Sequence, residues 1–313
     1  MAEAEYIEEL AREEEAALGR ERGLWSDAFR RLIRNRLAML GLFVLLAIFV
    51  VAVAGNYVHA VQRYEPQSQD YSVLHTGPSV DHFFGTDNLG RDNWSRVMQG
   101  TLISLEVGFG VQVFVLAIGL LVGGVAALGG RLLDNVMMRI TDIAYAFPDL
   151  LFIILLRSVF RQRDLPLVGG QTSDILLMMF AIGFVAWVTV ARLIRGQMLS
   201  LKERDFVIAA RAIGASPCRT VFQHMLPNTL GPVTVAVVFG IPLAIFAEAV
   251  LAYIGIGLQP PTASLGILIS GGYHFIQTNI WMVTFPTAII AILMLCFTFL
   301  GDGLRDALDP HWR

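Results

Sequence analysis

Residues 37–58, 107–128 and 280–300 contain no charged side chain. A helix needs about 20 apolar residues to cross roughly 30 Å of hydrocarbon, and inside that layer every backbone amide must be satisfied by the protein itself. Three such runs restrict the chain to membrane-spanning helices. Three further segments meet the length with few charges. Residues 136–156 carry Arg139 and Asp142 near the start, 175–194 carry Arg192 near the end, and 230–256 carry Glu248. The reading is an all-α, polytopic bundle of about six transmembrane spans. Its internal Gly119, Gly123, Pro148, Gly240, Pro242 and Pro286 are residues that neighbouring helices tolerate in a membrane. Only 16% of the chain is charged, against about 25% for soluble domains. A net charge of -3 gives no case for nucleic acid. Cys218 lies in a polar stretch and Cys296 in an apolar one, which argues against a disulfide or thiolate metal site.

Orientation follows from Lys and Arg alone. With the N-terminus inside, 17 of the 23 basic residues fall on inner segments and 6 on outer ones. The expectation is a multi-pass protein of a bacterial inner membrane with both termini cytoplasmic. Residues 1–23 form an acidic lead, with eight Glu and three Arg in 1–22. Residues 24–98 hold a basic helix, the first span and an outer loop. Residues 99–303 hold a core of five spans with an inner loop at 192–228, and 304–313 a cytoplasmic tail. Trp25, Phe29, Leu32 and Ile33 oppose Arg30, Arg31, Arg34 and Arg36 at helical spacing. That pattern fits an amphipathic surface helix or a simple positive-inside anchor, and both give the same topology.

The 192–228 loop has legible punctuation. Asp205 is read as the cap of a helix ending at Gly214, a residue suited to left-handed backbone. Ser216-Pro217 reads as N-cap and first residue of a second segment, which Pro227 stops. Small residues at Ala209, Ala210 and Gly214 would let another surface approach closely. The loop is read either as a docking element or as a segment packing on its own bundle. Tethers to spans at both ends make a DNA-reading helix–turn–helix a poor alternative.

No G-x-x-x-x-G-K-[ST] phosphate loop occurs, so the chain is not expected to bind ATP or to be an enzyme. His59, His75 and His82 share one loop, but their spacing matches no helical or finger-type metal site. Glu248 has two readings: a carboxylate lining a translocation path, or one hydrogen-bonded at a helix interface. Asp142 is paired with Arg139 on one helical face.

The pattern Ala209-Ala210, three residues, Gly214, nine residues, His224, one residue, Leu226-Pro227 resembles the EAA loop of ABC-importer permeases. Ile208 stands where that loop has Glu, and His224 where it has Ile. The outer-loop run Phe84-Gly85-Thr86-Asp87, two residues, Gly90-Arg91-Asp92 resembles the C-type permeases of dipeptide, oligopeptide and nickel importers. So does the tail from Gly301 to Pro310. Within that family the chain is most similar to the oligopeptide permease C subunits. The resemblance implies a type I importer permease fold and half of a peptide pathway. It implies a second permease subunit as heterodimer partner, two ATP-binding subunits that hold ATP and Mg, and an extracytoplasmic peptide-binding protein. It assigns ATPase coupling to Arg204, Asp205, Ala209, Ala210, Gly214, Ala215, Leu226 and Pro227. Nickel, glutathione or another small solute is the alternative cargo. A secondary transporter would need paired intramembrane charges and an internal repeat, and neither stands out.

Overall fold

The computed structural model describes residues 24–58, 61–160, 170–259 and 261–309. The acidic residues 1–22, Arg161, Arg163, His59 and His311 lie outside the described residues, as do the side chains of Trp25 and Cys218. Among the described residues all regular structure is helical, apart from one isolated bridge between Thr86 and Asp92. The helices are α1 (Leu24–Arg34), α2 (Arg36–Tyr57), α3 (Asn93–Leu128), α4 (Gly130–Ala146), α5 (Asp149–Phe160), α6 (Gly170–Lys202), α7 (Asp205–Ala212), α8 (Leu226–Tyr253), α9 (Leu265–Tyr273) and α10 (Trp281–Leu308).

Among the described residues five helical stretches are long and apolar enough to cross a membrane: α2, α3, α6, the stretch from Thr220 to Tyr253, and α10. The sixth expected span, 136–156, is not one helix. It breaks at Phe147-Pro148 into α4 and α5. Proline disfavours helical backbone in the residue before it, and Phe147 is extended (φ -79°, ψ 135°). Pro242 and Pro286, by contrast, sit inside the continuous helices α8 and α10.

The core forms where α3 and α6 run side by side. Glycine lets them approach closely: a Cβ on Gly123 would lie 2.5 Å from the Ala191 carbonyl oxygen, and one on Gly119 2.9 Å from Val190. Without a hydrophobic drive between helices in lipid, this packing is what holds such pairs together. Val107, Val111, Met178 and Ile194 are fully buried along the seam. A second cluster joins α2, α3, α8, α9 and α10 through Leu45, Ile245, Leu265 and Leu293. Outward-facing Phe43 and Leu121 remain exposed, as lipid-facing side chains do.

α1 ends at Asn35, whose side-chain oxygen accepts the amides of Leu37 and Ala38 and so starts α2 as a separate helix. α1 and the start of α2 grip the far end of the chain. Arg31 donates to the Asp309 carbonyl at 3.1 Å, and a Cβ on Gly303 would meet that of Ala38 at 2.3 Å. The expected domain boundaries at 98/99 and 303/304 fall inside α3 and α10.

The loop between α2 and α3 is held by its own polar groups. Asp87 accepts the amides of Leu89 (2.8 Å) and Arg91 (2.9 Å) and pairs with Arg91 Nε at 2.7 Å. Asp87 and Arg91 thus pair across a turn. Asp92 caps α3 through Ser95 N–H and pairs with His82. Gly90 (φ +70°) lies so close to Asp70 that a Cβ would sit 1.8 Å from its carbonyl oxygen. Asn279 ties this loop to the residues preceding α10 by donating to the Thr86 carbonyl at 3.0 Å.

Candidate functional site

The loop from α6 to α8 is built in three steps. Arg204 is the N-cap of α7, without a side-chain cap bond, and Asp205 is the first helical residue. The expected cap at Asp205 is thus corrected: its carboxylate sits in the first turn, where it favours the helix dipole. Gly214 takes φ +90°, Ala215 N–H bonds the Ala210 carbonyl at 3.0 Å, and Gly214 N–H bonds the Arg211 carbonyl. This is the Schellman closure that a left-handed residue permits. Ser216 then caps a single turn, Pro217–Arg219, as expected.

Pro227 does not stop this second segment. A π-helical stretch, Thr220–Met225, carries the chain into α8, where Pro227 occupies the first turn. The Leu226 amide bonds back to the Val221 carbonyl of the π stretch, so the helix runs on through Pro227. The second segment of the loop and α8 are therefore one continuous rod.

Buried Val207 and Met225 fasten α7 and the π stretch to the membrane core beside Met198 and Val233. The other face is open and apolar. Ile213 is 87% exposed, with Phe206, Ile208 and Phe222 also exposed. A groove of about 520 Å³ runs between α7 and the π stretch, lined by Phe206, Ala209, Ala210, Gly214, Arg219 and His224. Of the expected coupling residues, Arg204, Asp205, Ala209, Gly214 and Pro227 are exposed, Ala215 and Leu226 are half-buried, and Ala210 is buried. Ala210 thus forms the groove floor. Ile213 went unmarked in the sequence, because an apolar residue near a helix end reads as packing. The signal was its i, i+7 relation to Phe206 in a segment outside every span. Ile208, at the departure from the EAA pattern, puts an apolar side chain on this rim.

Ion pairs tie the same loop's base to neighbouring helices. Arg195 of α6 holds Asp134 of α4 with both Nε and Nη2, the latter at 2.7 Å. Arg192 reaches Asp142 at 2.9 Å and lies over the Tyr145 ring. The expected partner of Asp142, Arg139, is thereby corrected: the pair runs between helices. Lys202 caps the end of α3 at the Ala127 carbonyl.

Glu248 is completely buried. Its Oε1 accepts from Ser264 Oγ at 2.6 Å, and Ser264 also caps α9 by accepting Ile267 N–H. Ser104 of α3 accepts Leu265 N–H at 3.2 Å. The Glu248 carboxyl thus joins α8 to the start of α9, and Ser104 joins that start to α3. At the end of α6 opposite the 192–228 loop, Arg157 is 1% exposed. It pairs with Asp174 at 2.7 Å and donates to the Gly257 carbonyl at 2.9 Å. Asp174 in turn accepts Gln259 N–H.

Residues 116–313 match a sequence family described as binding-protein-dependent transport system inner membrane component, and residues 23–78 match the N-terminal transmembrane domain of oligopeptide transport permease C. The chain is 41% identical over 290 residues to the dipeptide transport system permease protein DppC of Bacillus subtilis, covering 92% of this chain and 86% of that one. It is 38% identical to the oligopeptide transport system permease protein OppC of Escherichia coli, covering 93% of each. The fold matches a chain of the inward-facing MetNI methionine ABC transporter with a TM-score of 0.53 at 21% identity, covering 68% of this chain and 96% of that one. An amino acid ABC transporter crystallised with histidines gives a TM-score of 0.52 at 15% identity, covering 67% and 92%.

Proposed function

The chain belongs to the family of binding-protein-dependent transport system inner membrane components, and from that premise we propose that it is the permease subunit of an ATP-driven peptide importer. Its relatives carry the names of dipeptide and oligopeptide permeases, which supports peptides as the cargo. In this reading both termini and the 192–228 loop are cytoplasmic, and the loop between α2 and α3 faces outward. A second permease subunit completes the pathway, two ATP-binding subunits bind ATP and Mg, and an extracytoplasmic binding protein delivers the peptide.

The observation that carries the proposal is the knob formed by α7 and the π stretch. Its apolar face is open at Phe206, Ile208 and Ile213, while its inner face is fixed by buried Val207 and Met225. Such a part transmits a push. An ATP-binding subunit that seats the knob moves α6 and α8 with it, because α7 is joined to α6 by two residues and the π stretch runs directly into α8. Ala209, Gly214 and Ala215 line this surface, Ala210 sets its depth, and Arg204, Asp205, Leu226 and Pro227 stand where α7 and α8 begin. Glu248 acts from within, holding the start of α9 against α8, so its effect on the path is one of position.

The test is reconstitution. The chain, its paired permease and two ATP-binding subunits should co-purify, and vesicles holding them should take up a labelled peptide only with ATP and the binding protein present. Uptake driven by an ion gradient without nucleotide would reject the reading.

A further inference from the structure

We propose that the cleft between the 61–92 loop and α9 binds a single small carboxylate, held by Arg96. Arg96 stands one turn into α3 and is 5% exposed, yet its Nε and Nη1 have no hydrogen-bond partner. The nearest carboxylate is committed elsewhere. Asp87 Oδ2 is 3.8 Å from Arg96 Nε but accepts Arg91 Nε at 2.7 Å, and Asp87 Oδ1 takes two backbone amides. Two guanidinium groups therefore share one carboxylate in a buried place. A buried charge left short of partners is costly, and a guanidinium is shaped to take a carboxylate through two parallel bonds.

There is room for that partner. Arg96 borders a cavity of about 110 Å³, with Arg91 and Asn88 from the loop, Thr262, and Gly271 of α9. One water needs about 10–15 Å³ of such space, so the cavity has room for several. It suits a carboxylate and the carbon that bears it, and is too small for a whole peptide. A free acid and the C-terminal end of a peptide present the same group here. The second source rests on the peptide-import reading, while the site itself does not.

The experiment uses the full chain assembled with its partners in nanodiscs, and 13C-acetate as the probe. Saturable acetate binding is expected by saturation-transfer NMR, displaced by formate and not by equal chloride. It should weaken at least tenfold in Arg96→Gln. Gly271→Leu gives a second reading in case the buried arginine is needed for assembly. A Cβ there meets no atom within 4 Å, so the longer side chain should fill the cleft and weaken acetate to the same degree. Glycylglycine competing where its C-terminal amide does not would assign the carboxylate to a peptide end. Neither competing would assign it to a free acid. Absence of saturable acetate binding in the unaltered protein, displacement by chloride as well as by formate, or undiminished binding in Gly271→Leu would each overturn the proposal. Peptide uptake by the unaltered importer, measured alongside, separates a failure of this site from a failure of the import reading.

Discussion

Truncating Ile213 to alanine tests the proposed docking surface directly. Ile213 is 87% exposed in the isolated chain, so it contributes almost nothing to the chain's own packing and has nearly its whole side chain to bury on a partner. The change removes three carbons. At about 0.8 kcal/mol per buried CH₂, scaled by the 87% available, seating that side chain stabilises the complex by about 2 kcal/mol. A loss of that size weakens binding of the ATP-binding subunits about 30-fold. Ile213→Val removes one carbon and should cost about threefold by the same arithmetic. The assay titrates purified ATP-binding subunits onto the permease pair in nanodiscs, with peptide uptake and ATP hydrolysis measured in parallel. The thermal midpoint of the permease alone should stay fixed, since no internal contact is lost. Unchanged affinity and coupling in Ile213→Ala would refute the reasoning, as would a drop in thermal stability large enough to explain the loss.

Gly90→Ala should unfold the 61–92 loop. Its left-handed backbone alone costs a non-glycine residue on the order of 1–3 kcal/mol, and the Cβ would collide with Asp70; faster proteolysis of that loop in intact vesicles checks it. Arg157→Met removes one side of a buried pair and should destabilise by about 3–5 kcal/mol, read as a fall in thermal midpoint, with Arg157→Met/Asp174→Asn recovering part of the loss. Glu248→Leu leaves Ser264 Oγ without its acceptor and should cost about 1–3 kcal/mol, while Glu248→Gln keeps an acceptor and should assemble normally; equal stability of the two variants would count against the interface role. Asp142→Asn should break the α4–α6 pair at Arg192 with little change in stability, less than about 1 kcal/mol for so exposed a pair.

The spans were legible because hydrocarbon imposes one requirement, a long charge-free run, and α2, α3 and α10 satisfy it openly. Pro148 shows where that logic ends. Composition alone treats it like Pro242 and Pro286, yet only at Pro148 does the chain bend away, because packing around α8 and α10 sustains a helix through its proline. Pro227 misled in the opposite sense, since nothing in local propensity announces the π turn that lets the chain pass through it. Gly214 and Ser216 were read correctly because their roles are set by their own backbone. The partners of Asp142 and Arg157 were not readable, because each is chosen by a helix distant in sequence. Arg96 was counted only as an outer charge; its burial arises when α9 closes over the start of α3, which no local pattern contains.

The clasp between the chain's two ends governs how the protein is made. Arg31 and Asp309 are 278 residues apart, and at about 5–20 residues per second a ribosome needs roughly 14–56 s to cover that distance. For this time α2 lies in the bilayer without its principal neighbour, its Gly41 notch facing lipid where the Cys296 backbone will later sit. α2 is thus made early and placed late, and a chain released before α10 is complete leaves α2 without that neighbour.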